Sequence, residues 1–111
     1  MTLASLQEVP KNQQDWDNWS FSHRTQHDKI LIAIQSQLGK NLTSYIIDPV
    51  NVKEPSVFLI NNKNLHDDMN MALGGIGSDL SSVDFSNEQQ KQNWIAEHYM
   101  EHLSISQVLK I

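Results

Sequence analysis

Five histidines, His23, His27, His66, His98 and His102, are the residues of this 111-residue chain best suited to chemistry. The sequence has no cysteine, so histidine and carboxylate are the strong metal ligands left, and thiol nucleophiles and disulfide frameworks are excluded. His23 and His27 are spaced i, i+4, and so are His98 and His102. Two imidazoles at that spacing share one helical face and can chelate one ion, and a ligand from a second helix would complete tetrahedral zinc. The other reading is a polar network. A neutral imidazole carries one donor and one acceptor, and a buried ring is stabilised when both find a carbonyl, a carboxylate or a water.

Several catalytic patterns can be set aside. His98 to His102 spell H-x-x-E-H, the order of inverted zinc peptidases, but those enzymes need a further ligand well downstream and only nine residues follow His102. The chain contains no Glu-x-x-His, so the carboxylate set of a di-iron bundle is missing. Asp67 and Asp68 follow His66 directly, yet adjacent helical residues diverge by about 100°, and both are expected to face solvent. Gly74, Gly75 and Gly77 follow a helical pattern, whereas dinucleotide-binding glycines follow a strand. There is no G-x-S-x-G nucleophile elbow, and no enzymatic activity is expected.

The elements that must position the histidines can be read from helical periodicity. Asn12 or Asp15 caps a first helix that runs to about Leu38, where Gly39 supplies the residue expected just past a helix end. Its positions 16, 19, 23, 27, 30, 34 and 38 read Trp, Trp, His, His, Ile, Ile, Leu, so His23 and His27 lie on the buried stripe. Pro55 opens a second helix carrying Phe58, Leu59, Leu65, Met69 and Leu73, with Asn62 and Asn70 on the side of His66, and it stops at Gly74 and Gly75. Ser86 and Gln89 match a capping box for a third helix. There, Trp94, His98, His102, Ile105 and Leu109 share the inner face, and a break is expected near Ser104. Between Lys40 and Glu54 an ordered connector is expected, in which Thr43 to Ile47 could instead pair as a small strand. The fold class is therefore all-α: a three-helix bundle, or four helices with the C-terminal break. It consists of an N-terminal arm over 1–11 and a single domain over 12–111.

Composition narrows the partners. Eight Lys and Arg against thirteen Asp and Glu give a net charge of -5 without a cationic cluster, which argues against nucleic acid. The longest apolar run, Ile30 to Ile34, is far short of the roughly 20 residues a membrane helix needs. Met1 to Pro10 lack the cations of a secretory signal, so a soluble protein that stays in the cell that made it, or in a particle assembled there, is expected. Trp16, Trp19 and Phe21 crowd the first helix and cannot all share one stripe. Together with Leu103, Ile105, Val108, Leu109 and Ile111 near the C-terminus, they are candidates for a surface that meets another subunit.

Four motifs also carry a likeness. F-x-H-x-x-x-H at Phe21, His23 and His27, H-x-x-M-N-x-x-L-G from His66 to Gly74, D-L-x-x-x-D from Asp79 to Asp84, and Trp94 with Glu101 and His102 resemble a group of short tailed-bacteriophage proteins. The likeness extends from about Trp16 to the C-terminus. It implies a product encoded among virion assembly genes, with no catalytic activity to carry over. Two functions follow. One is a non-enzymatic structural or assembly protein of the neck, tail or capsid, without a cofactor, present in several copies and bound to other virion proteins, in the host cytoplasm before assembly and in the virion after it. The other is a metal-binding helical protein in which the five histidines hold zinc or iron.

Overall fold

The computed structural model describes residues 3–42, 49–75 and 79–111, and the Thr43 to Ile47 segment lies outside them. Helix α1, Gln13–Leu38, begins where the extended backbone of Asn12 lets its side-chain oxygen accept the N–H of Asp15 at 2.9 Å. It ends at Gly39, whose φ of +67° lets its N–H turn back to the carbonyl of Gln35. Helix α2, Ser56–Ala72, starts after Pro55. It closes with the N–H of Gly75 donated to the carbonyl of Asn70, a turn that needs the positive φ of Gly74.

Helix α3, Glu88–Leu109, differs from expectation at two points. Its cap is Asn87, which accepts the N–H of Gln90 at 3.0 Å, and not Ser86. The Ser86 hydroxyl is already committed to Asp84, in a turn to which Ser86 also gives its backbone N–H, so the cap moves one residue on. No break occurs near Ser104, and the four-helix alternative is not realised. Ile105 and Leu109 stay on the inner stripe that His98 and His102 begin, and their packing holds the helix together past the serine.

Residues Leu3–Gln7 form a 3-10 turn that packs on α1 and α3, with Leu6 fully buried and its carbonyl facing the Trp19 indole N–H. The connector before α2 is tied to α1 by side chains. Gln13 donates to the carbonyl of Val50 and accepts the N–H of Val52, and Ser20 accepts the N–H of Val50. Among the described residues there is no strand, and no helix is long and apolar enough to cross a membrane.

The core is layered along the helix axes. At one end Trp16, Trp19, Phe58, Phe85 and Trp94 form an aromatic cluster with Leu6, Val50 and Ile95. At the other, Ile30, Ile34, Leu65, Met69, Ile105 and Leu109 form an aliphatic one. The histidines of α1 and α3 fall between these two layers in each helix's own sequence, which makes a polar slab inside an apolar protein.

Candidate metal centre

All five histidines are buried, none more than 4% exposed. Helix α1 delivers His23 and His27 one turn apart, α3 delivers His98 and His102 in the same way, and α2 delivers His66 between them. Nε2 of His23 lies 2.8 Å from Nε2 of His98, Nε2 of His27 lies 2.9 Å from Nε2 of His66, and Nε2 of His102 lies 3.1 Å from Nε2 of His98. One ring nitrogen from each histidine falls within 4.8 Å of the other four.

Two carboxylates stand behind these rings. Oε1 of Glu101 lies 3.0 Å from Nδ1 of His66 and also accepts from the amide of Asn70. Oδ2 of Asp79 lies 3.5 Å from Nδ1 of His66 and 3.4 Å from Nδ1 of His98, and accepts from Asn62 at 3.0 Å. The Glu101 carboxylate can only accept here, so it places the His66 ring proton on Nδ1 and leaves the Nε2 lone pair aimed at the centre of the cluster. That tautomer, inferred from the partner, is the one in which histidine binds metals through Nε2, and carboxylate support of this kind also raises ligand basicity.

The electrostatics agree. Burial, followed by the neighbouring rings, holds His23, His27, His98 and His102 well below the usual imidazole range, so all four are neutral near pH 7. Burial pushes the Asp79 carboxyl up to about 6, helped by Glu101 and opposed by His66 and the Asn62 hydrogen bond. The aromatic layer closes one side, with Trp19 stacked on His23 and Trp94 on His98, each pair with ring centroids 4.6 Å apart.

The predicted ligand set is thus brought together in full. The predicted partner surface is not: Trp16, Trp19, Ile105 and Leu109 are at most 3% exposed and belong to the chain's own core. They continue the histidine stripes, and the interior packing uses their area. Leu103 is partly buried, while Phe21, Val108 and Ile111 remain more than half exposed. Asp67 does not simply face solvent either. It is partly buried and paired with Lys63 at 2.6 Å.

Sequence reasoning named neither Asp79 nor Glu101 as a site residue. Glu101 follows His98 by three positions, a helical neighbour of the inner stripe, and that spacing was the available signal. Asp79 sits outside the helices, where no periodicity points inward. Comparison of the chain with protein-family models, curated proteins and solved structures gives no match.

Proposed function

We propose that this protein binds a first-row transition metal ion between its three helices through the imidazoles of His23, His27, His66, His98 and His102. The observation that carries the reading is the convergence of five Nε2 atoms from three helices, with the His66 ring held by the Glu101 carboxylate on its opposite nitrogen and Asp79 3.4 Å from Nδ1 of His98. Imidazole donors suit zinc, copper, nickel and iron, and the neutral rings of His23, His27, His98 and His102 take up the ion without first having to lose protons. Buried polar rings also cost stability when partners are incomplete: among the described residues Nδ1 of His98 and Nδ1 of His102 have no hydrogen-bond partner, a deficit of about 1–3 kcal/mol each. Metal binding at the Nε2 atoms adds stability against that cost and links the helices at one point.

Thermal unfolding with a panel of divalent ions tests this. An ion present at about 100 times its Kd should stabilise the fold by about 2.7 kcal/mol, reversibly on chelation. A midpoint indifferent to every ion would oppose the proposal.

A second reading concerns where such a protein works. The likeness to short phage proteins implies a virion part in several copies, and Phe21, Ile32, Met71 and Met100, each exposed by 55% or more, are apolar side chains open to such contacts. The two readings are compatible, with the ion acting as an internal staple for a small structural protein. Solution mass tests the second one: self-association should weaken in Phe21→Ser and Met71→Ser, and a strict monomer would count against multiple self-contacting copies.

A further inference from the structure

Resting on the metal reading, we infer that the centre is a six-vertex site in which five histidines hold one ion and the sixth vertex receives a small neutral diatomic ligand. Two nitrogens each about 2.0–2.1 Å from a shared ion sit about 2.8–3.0 Å apart at a right angle and about 3.3–3.4 Å apart at the tetrahedral angle. The observed separations of 2.8, 2.9 and 3.1 Å match right angles. A tetrahedral ion would also leave one of five equally buried imidazoles without a role. No separation exceeds 4.8 Å, and opposite vertices of such a site would be drawn to about 4.0–4.2 Å by a bound ion.

The protein's own carboxylates are engaged elsewhere. Oε1 of Glu101 faces Nδ1 of His66 and Oδ2 of Asp79 faces Nδ1 of His66 and His98, on the side of each ring away from the converging Nε2 atoms. They therefore orient ligands and leave the sixth vertex open. Its surroundings select the occupant. Ile30, Met69 and Ile105 follow His27, His66 and His102 by one helical step and line the aliphatic side. Trp19, Phe58 and Trp94 line the other. These walls are apolar and at most 3% exposed, so they admit only a small ligand and offer it little hydrogen bonding. Charge selects further: a divalent ion is balanced by the carboxylates of Asp79 and Glu101, so a neutral ligand keeps the buried site neutral, whereas an anion does not.

The test uses the full chain, loaded first with Co2+ and separately with Fe2+ under anaerobic conditions. The visible bands of bound Co2+ should be weak, as in five- and six-coordinate cobalt. Nitric oxide added to the Fe2+ protein should then form an iron nitrosyl, seen as a half-integer-spin electron paramagnetic resonance signal absent beforehand. Intense tetrahedral cobalt bands would overturn the five-histidine geometry and leave metal binding standing. Weak bands without a nitrosyl signal would overturn the open vertex. Failure to bind either ion would overturn this inference and the reading beneath it.

Discussion

Nδ1 of His66 lies 3.0 Å from Oε1 of Glu101, while Nε2 of the same ring lies 2.9 Å from Nε2 of His27, so one imidazole joins a carboxylate on α3 to the histidine cluster. Removing the negative charge while keeping the shape isolates its contribution. Glu101→Gln should leave helix content unchanged and weaken divalent metal affinity by about 10–100-fold. Competition with a chromogenic chelator measures this, and an affinity equal to wild type would contradict the orienting role.

Acid should destabilise the metal-free protein. His23, His27, His98 and His102 have lowered values in the fold, so below the ordinary imidazole value of about 6.5 the unfolded chain binds more protons, and stability falls with pH. Asp79 has the opposite sign. Raised to about 6, it takes up a proton in the fold before it does in the unfolded chain and so favours folding on acidification. Four groups outweigh one, with up to about 1.4 kcal/mol per pH unit from each. The unfolding midpoint should drop between pH 7.5 and pH 5, and a flat or rising midpoint would contradict buried neutral rings.

The stacked indoles supply an optical readout. Trp19 and Trp94 lie face to face with His23 and His98, so Cu2+ bound by those rings should quench tryptophan emission, with saturation at one equivalent. Trp94→Phe should remove part of the quenchable signal and leave the stoichiometry unchanged. Quenching that continues linearly with added copper would indicate surface binding instead.

Two neighbouring isoleucines test the stripe that positions the cluster. Ile34 is fully buried among the aliphatic layer and Ile32 is 68% exposed. In urea unfolding, Ile34→Ala should cost about 2–5 kcal/mol. Ile32→Ala should stay within about 0.5 kcal/mol of wild type. Equal costs would mean that α1 is rotated from the orientation described.

These examples also show how far the sequence could be read. The period of Trp16, Trp19, His23, His27, Ile30 and Ile34 is itself the inner face of α1, and Asn12 and Gly39 mark its ends, so local rules sufficed there. The stripe stops one step earlier than expected, because Leu38 at the helix end is 43% exposed. The shift of the third cap from Ser86 to Asn87 depends on a side-chain bond to Asp84, where two nearby polar residues offered competing caps. Asp79 was harder still: it lies 3.5 Å from His66 and 3.4 Å from His98 although it belongs to no helix, and no period records that approach.

Metal content of the purified full-length chain tests the central claim most directly. After expression with transition metals supplied and exhaustive dialysis, elemental analysis should find one transition metal ion per chain, and none in the paired variant His27→Gln, His98→Gln if that variant stays helical. A wild-type chain that retains no ion and takes none up on titration would contradict the account.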